Sequence, residues 1–258
     1  MIVEEALNKC KKALEEYLNS NSSIRELSVK YKINRGFFSG YALGKGIDIY
    51  SRKSKCNDRI FDVIDTEDKA YWLGFLYADG CVYKYNNSYR VELSLKEGDL
   101  EHIKKFKAFM CSESRISYRK LQKAYRIGIG SRRIYERLIE LGCMPNKSLI
   151  LKFPTDSQVP NSLLKHFIRG YFDGDGCFSL RHNVHSIAPN ICILGTEDFL
   201  SGIQKIYNGK ISKKSTENIY SLRFRKEEAL KFLKDIYTNS HIYLDRKYDR
   251  FIAVLSSN

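Results

Sequence analysis

Apolar residues recur at helical spacing over residues 3–19, where Val3, Ala6, Leu7, Cys10, Leu14, Tyr17 and Leu18 line one side of an amphipathic helix. A shorter helix is predicted from Ile24 to Tyr31, capped by Ser22 or Ser23, with Glu26 three residues after Ser23 in capping-box spacing. Lys32-Ile33 reads as a turn, and Asn34 as the cap of a third helix through Phe37, Phe38 and Tyr41 to about Leu43. Periodicity then fails from Lys45 to about Asp65. There Ser51-Arg52-Lys53-Ser54-Lys55 marks a basic linker, extended or ordered only on binding. The pattern therefore predicts a helical segment over 1–44 and a linker over 45–65.

From Thr66 onward helical and alternating periods succeed one another, and they do so twice. A largely apolar run, Ala70 to Ala78, follows a Thr66 cap with Glu67 and Asp68 in the first turn. Strands are predicted at Cys81–Lys84 and Tyr89–Leu95 around an Asn86-Asn87 turn, then a helix at Asp99–Phe109. Strands at about Arg115–Leu121 and Tyr125–Ile129 and a helix at Arg132–Leu141 complete the first set. A second apolar run, Leu163 to Phe172, opens the same series: Cys177–His182, Asn190–Leu194, Glu197–Tyr207, Gly209–Lys214, Ile219–Phe224 and Lys226–Tyr237. Leu95 matches Leu194, and Tyr125 matches Tyr220, at nearly the separation of Asp79 from Asp175. The fold class is thus α+β: two pseudo-symmetric αββαββα repeats, over 66–152 and 153–258, preceded by the small helical segment.

Each apolar run ends in Gly-x-x-x-(Ala/Gly)-Asp-Gly, at Gly74–Gly80 and Gly170–Gly176. Gly74 and Ala78, like Gly170 and Gly174, share one helix face and leave a groove free of side chains. Two such grooves can press helix backbones closer than the usual spacing of about 8–10 Å. That contact would bring Asp79 and Asp175 together. A carboxylate in the last turn opposes the helix dipole by roughly 0.3–1 kcal/mol, and a second beside it adds repulsion. A divalent cation would relieve both penalties, and hard oxygen ligands suit magnesium, with manganese as the substitute. The plainer alternative is that Asp-Gly ends a helix and opens a hairpin, with Gly80 and Gly176 in left-handed conformations.

Charge sharpens this picture. The 258 residues carry 44 Lys and Arg against 30 Asp and Glu, a net +14 spread from end to end, which favours a polyanionic partner. Seven cysteines, none in Cys-x-x-Cys spacing, indicate a reducing compartment without structural zinc. No apolar run approaches the length of a membrane span, and Met1 opens a helix-prone acidic segment rather than a signal peptide. A soluble intracellular protein is expected. His182 and His185 lack two further ligands nearby, so a turn or a DNA contact is preferred there to a metal site.

Lys84, Tyr85, Arg90, Arg119, Lys120, Arg126, Arg181, His182, Arg223 and Arg225 all fall on predicted strands or their turns. An antiparallel sheet leaves one face to solvent. Two strands also fit the major groove, where arginine reads guanine, so these residues are candidate DNA contacts. In the N-terminal segment, helix, turn and helix resemble a helix-turn-helix, which would point Arg35, Ser39 and Tyr41 at DNA; an ordinary three-helix bundle is the alternative.

At this point the residues resemble the LAGLIDADG homing endonucleases, with the likeness running over 66–258. The nine-residue motif lines up as Trp72-Leu73-Gly74-Phe75-Leu76-Tyr77-Ala78-Asp79-Gly80 and as Ile168-Arg169-Gly170-Tyr171-Phe172-Asp173-Gly174-Asp175-Gly176. The resemblance implies a monomer whose two repeats form a saddle on double-stranded DNA. It would hydrolyse one phosphodiester per strand at a long asymmetric site with Mg2+ or Mn2+. It also implies that Asp79 and Asp175 are the catalytic, metal-binding acids, with Ala78 and Gly174 beside them as further metal contacts. Tyr77 departs from the acid usual at its position, which is not the metal ligand. Lys96 stands by position as the basic residue beside a scissile phosphate; its counterpart is Gly195, so the two sites would be unequal. Lys147, Lys226 and Lys247 are further candidates for stabilising phosphorane charge. Two other readings share the fold: a regulator that binds DNA without cutting, and a maturase that binds intron RNA. An intein is disfavoured, since the chain starts at Met1 and Ser256-Ser257-Asn258 lacks the His expected before the final Asn.

Overall fold

The computed structural model describes residues 2–20, 22, 24–47, 56–86, 88–182, 187–214 and 217–256. The chain divides into two compact units, Met1–Ser54 and Lys55–Asn258.

The first unit holds α1 (Ile2–Asn19), α2 (Ile24–Lys30) and α3 (Arg35–Gly44). Cys10, Ala13, Leu14, Ile24, Leu27, Phe38 and Ala42 form its core. Asn34 caps α3 as expected, its side chain accepting from the amides of Gly36 at 2.8 Å and Phe37 at 3.1 Å. The turn before it places Lys32 at φ 52°, and the end of α2 is tied to α1 where Lys30 and the Tyr31 hydroxyl both reach Glu16. The apolar stripe is narrower than its pattern suggested, because Leu7 and Leu18 are exposed. The Ser23 cap falls outside the described residues.

The second unit begins earlier than expected. Residues 56–65 are not a free linker. Ile60, Phe61 and Ile64 are buried in the main core, and Arg137 donates from Nε to the Phe61 carbonyl at 3.1 Å. Three apolar anchors among polar neighbours carry no helical or alternating period, so pattern alone could not place them. Residues 48–55, the basic part of the segment, lie outside the described residues.

Two helices, α4 (Glu67–Asp79) and α7 (Leu164–Asp175), form the centre. Ala70 to Tyr77 are buried without interruption, as are Phe167 to Asp173. A helix buried on every side must lie between other layers. The Gly74 and Gly170 positions show why they can lie against each other. A Cβ on Gly74 would stand 2.8 Å from the Phe167 carbonyl carbon and 3.0 Å from the Tyr171 nitrogen; one on Gly170 would stand 2.8 Å from the Phe75 nitrogen. The backbones therefore touch through the expected groove.

Each central helix runs straight into a sheet. β1 (Gly80–Tyr85), β2 (Ser88–Lys96), β3 (Ser117–Arg119) and β4 (Ala124–Gly130) form an antiparallel sheet in the order β1-β2-β4-β3. β5 (Gly176–His182), β6 (Ile187–Gly195), β7 (Lys210–Lys213) and β8 (Tyr220–Arg225) repeat it as β5-β6-β8-β7. Helices α5 (Leu100–Phe109) and α6 (Arg132–Glu140) follow in the first repeat. The second has α8 (Glu197–Ile206), α9 (Lys226–Tyr237) and a further helix, α10 (Asp245–Ser256), that the repeat plan does not contain. The strand expected over Arg115–Leu121 is only three residues long; Leu121 is 95% exposed, and Lys123 turns the chain at φ 45°.

The motif glycines at the helix–strand junctions are extended, not left-handed: Gly80 has φ −72° and ψ 141°, Gly176 φ −75° and ψ 134°. Space makes glycine necessary here. A Cβ on Gly80 would lie 2.7 Å from Leu76 Cα, and one on Gly176 would strike the Phe172 ring.

Candidate functional site

The helix crossing carries both acids to one place. Ala78 and Gly174 meet across the groove, and a Cβ on Gly174 would lie 3.2 Å from a carboxylate oxygen of Asp79. Asp79 and Asp175 reach solvent, yet the helix ends crowd them. Burial, then the charge of Asp175, pushes the Asp79 carboxyl up to about 6. Burial also raises Asp175, opposed by the charges of Lys147 and Lys247 and by the Tyr171 hydroxyl. The charge of Asp175 thus favours protonation of Asp79, the direction expected of neighbouring carboxylates.

The cations beside the acids come from the C-terminal part of each repeat. Lys147 Nζ donates to the carbonyl of Gly80. Lys247 Nζ donates to the carbonyls of Phe172 at 2.5 Å, Asp173 at 2.9 Å and Gly176. Lys247 is buried, which lowers its pKa to about 8, and it satisfies the free carbonyls at the end of α7. Arg246 also acts on Asp79, and its Nε donates to Asp99 at 3.0 Å. Lys96, expected beside a scissile phosphate, is exposed at the C-terminal end of β2 opposite Ala124, three residues past the register position of Gly80. Lys226 opens α9 at φ 49°, exposed. Of the four lysines raised from sequence, Lys147 and Lys247 hydrogen-bond carbonyls at the motif ends. Their shared position after the last helix of the repeat plan was the available signal; Arg246 and Tyr171 had none.

Register sorts the strand residues into two faces. Val82, Val91, Leu93, Ile127 and Ile129 face the core. The opposite face of the first sheet carries Tyr83, Tyr85, Arg90, Glu92, Arg119 and Arg126. Lys84 belongs to the other face: it alternates with Val82 and lies over the Tyr89 ring at 5.3 Å, so it does not join the outer arginines. Arg126 is paired with Glu92, which also accepts from the Tyr83 hydroxyl at 2.7 Å. In the second sheet Lys210 and Arg223 oppose one another, and Arg225 opposes Asn190, on the outer face. Arg181 and His182 hold register positions opposite Ala188 and Ile187. His185 lies outside the described residues. No group of three or more His, Cys, Asp or Glu side chains positioned for a metal occurs among the described residues. Among them, too, no helix is long and apolar enough to cross a membrane.

In the helical unit Arg35 is exposed at the start of α3, and Ser39 and Tyr41 are half-buried farther along it. Tyr41 lies under Lys45 at 5.9 Å and against the small core, so it acts at least partly as packing.

Comparison with known proteins agrees with this geometry. Residues 168–254, from the second motif through α10, match the family model described as LAGLIDADG endonuclease. A structure of the meganuclease I-SmaMI bound to uncleavable DNA shares the fold at a TM-score of 0.50 and 11% identity, over 72% of this chain and 88% of that one. A lysine-to-alanine mutant of I-SmaMI gives 0.51 and 13%, over 72% and 89%. A probable translation initiation factor IF-2 from Methanocaldococcus jannaschii is 28% identical over 182 residues, 64% of this chain. The chain spans only 14% of that relative's length. The family match covers the second repeat, and the first repeat carries the same motif and sheet order, so the chain is similar to LAGLIDADG endonucleases with two motifs on one chain.

Proposed function

We propose that the chain is a double-strand DNA endonuclease that hydrolyses one phosphodiester on each strand, using divalent metal, at a long asymmetric site. One observation carries the reading: Asp79 and Asp175 end two helices that touch through Gly74 and Gly170, each acid with a lysine of its own repeat at the following glycine. The donor set suits Mg2+ or Mn2+. It offers hard carboxylate oxygens, with the nearby Ala78 and Gly174 carbonyls as further oxygens, and leaves the remaining positions to water and phosphate. A bound ion would supply water activation and charge neutralisation at the leaving 3′ oxygen.

The chain's own residues then have separable tasks. Asp79 and Asp175 hold the negative charge that selects the cation. Lys147 and Lys247 keep positive charge at the same helix ends, where phosphate charge would develop. Arg90, Arg119, Arg126, Arg223 and Arg225, with Tyr85 and Lys210, engage the duplex from the two outer sheet faces. Strands of about seven residues span roughly 23 Å, so two sheets end to end exceed one DNA turn of about 34 Å. The unequal repeats fit a site without symmetry. The I-SmaMI structure named above is bound to DNA, which supports a duplex as the partner. One chain supplies both acids, so a monomer suffices. The N-terminal helices act as an added DNA-reading module through Arg35 and Ser39.

Purified protein incubated with Mg2+ and a randomised duplex library, with the cut ends sequenced, tests the reading. Recurrent double-strand breaks at one sequence, lost with chelator, are expected. Binding without breaks, or selective retention of structured RNA, would replace it with the regulator or maturase reading.

A further inference from the structure

Two thiols stand directly across β5 and β6. Cys177 pairs in register with Cys192, and on its other side Cys192 pairs with Arg223. Cys177 is exposed and Cys192 half-buried, both as free thiols on the sheet face opposite the core residues Phe178, Ile191 and Ile193. Directly opposed residues of an antiparallel pair have Cα atoms about 4.5 or 5.5 Å apart, depending on pair type. Both values lie inside the window of about 4.4–6.8 Å that a disulfide accepts. The first repeat lacks the arrangement, since Cys81 opposes Glu92. Cys10 and Cys143 are buried in the two cores.

We propose that Cys177 and Cys192 are a reversible thiol–disulfide site on the nucleic-acid face of the second sheet, oxidised by a low-molecular-weight disulfide. The nucleic-acid part rests on the endonuclease reading; the chemistry does not. The Cys177 thiolate attacks one sulfur of the small disulfide, forming a mixed disulfide and releasing one small thiolate. The Cys192 thiolate then attacks the Cys177 sulfur and releases the second. The protein loses two protons and two electrons, and the small disulfide is reduced to two thiols. Cross-strand Cβ atoms start about 4.5–5.5 Å apart, whereas a disulfide holds them near 3.8 Å. Closure therefore draws β5 and β6 together at a point two residues beyond Asp175 and next to Arg223. An exposed bond closed under that constraint is of the labile, readily reduced kind.

The test treats full-length protein with oxidised glutathione, blocks free thiols, and maps linked peptides by mass spectrometry. DNA binding and cleavage are measured on the same samples before and after dithiothreitol. A Cys177–Cys192 link is expected, absent in Cys177→Ser and in Cys192→Ser but retained in Cys81→Ser and Cys111→Ser. Loss of cleavage with the link and its return on reduction are expected too. Both thiols remaining free, or a link to another cysteine, would overturn the site. A link that leaves affinity and cleavage unchanged would overturn its role at the nucleic-acid face. If reduced protein also fails to engage any duplex, the endonuclease reading falls while the mapped link still establishes the thiol pair.

Discussion

Lys147 and Lys247 occupy matching places in the two repeats and do unequal work: Lys147 donates to the Gly80 carbonyl alone, Lys247 to three carbonyls at the end of α7. Lys247 is buried, and removing it strands those carbonyls in protein. Lys247→Met should destabilise the fold by about 2–4 kcal/mol, whereas Lys147→Met should lose about 1 kcal/mol or less. Denaturant unfolding measures the difference. Equal losses would mean that the three-carbonyl cage does not form. Under the endonuclease reading, Lys147→Met should also nick one strand faster than it cuts both.

The paired acids make a prediction with a sign. Asp79 titrates at about 6 in the folded protein, above its unfolded value of 3.8. Its contribution to stability is therefore full below 3.8 and lost as pH rises through about 6. Asp79→Asn should then raise the melting temperature of metal-free protein at pH 7.5 while abolishing double-strand cleavage and leaving binding within about tenfold. Mg2+ should stabilise the wild type at pH 7.5 and much less at pH 5, where the carboxyl holds its proton. A melting temperature unmoved by Asp79→Asn would separate the two acids.

His102 pulls the other way. Burial lowers it to about 3 from 6.5, so it stays neutral in the fold while the unfolded chain takes up a proton. Its stability is present above 6.5 and lost as pH falls toward 3, with a slope of up to about 1.4 kcal/mol per pH unit. Its Nε2 meets the Tyr71 hydroxyl at 3.0 Å, and that hydroxyl donates to the buried Asp173 at 2.8 Å. In an Asp79→Asn background, His102→Gln should flatten the acid limb of a stability–pH profile. An unchanged limb would place the acid sensitivity elsewhere.

The groove between α4 and α7 predicts an unusually severe small substitution. Added methyl groups in a packed core generally cost about 1–3 kcal/mol. At Gly170 the obstacle is the Tyr71 and Phe75 backbone, which cannot rotate away. Gly170→Ala should therefore cost at least that much, and Gly170→Leu should prevent folding of the second unit. Gly40→Ala, with nothing near its Cβ position, is the matched control and should be neutral or stabilising. A melting temperature that Gly170→Ala leaves unchanged would mean that the backbones are farther apart.

What the sequence could show and what it hid divide along physical lines. The duplicated motif was legible because close helix contact demands small residues at fixed spacing, and because Asp79 and Asp175 oppose their own helix dipoles. The strands were legible from alternation to within two residues at each end, except that β6 starts at Ile187, three residues before the expected Asn190. Lys84 was misplaced because an exposed lysine at a strand end breaks the alternation that assigns faces. Ile60, Phe61 and Ile64 were missed because a packed irregular segment has no period. The bond from Lys147 to the Gly80 carbonyl is not legible in the sequence, because it joins residues 67 positions apart. α10 was missed because no counterpart exists in the first repeat.

The last prediction concerns the helical unit, which has a separate core in Cys10, Leu14, Leu27, Phe38 and Ala42. A fragment beginning at Lys55 retains both acids, both lysines and both sheets, and it keeps Ile60, Phe61 and Ile64. It should fold and, under the endonuclease reading, still cut with Mg2+. If α3 touches DNA through Arg35 and Ser39, the missing helices had acted as a second module at high effective concentration, and affinity should fall. The slope of log K against log salt should become shallower by about 0.9 for each phosphate that the helices had neutralised. The protected DNA should shorten at one end, since one such module serves a two-repeat core. A soluble fragment with the same footprint and salt slope would make the three helices a bundle that does not read DNA. Insolubility of the fragment would instead show that the second unit needs the first to cover part of its surface.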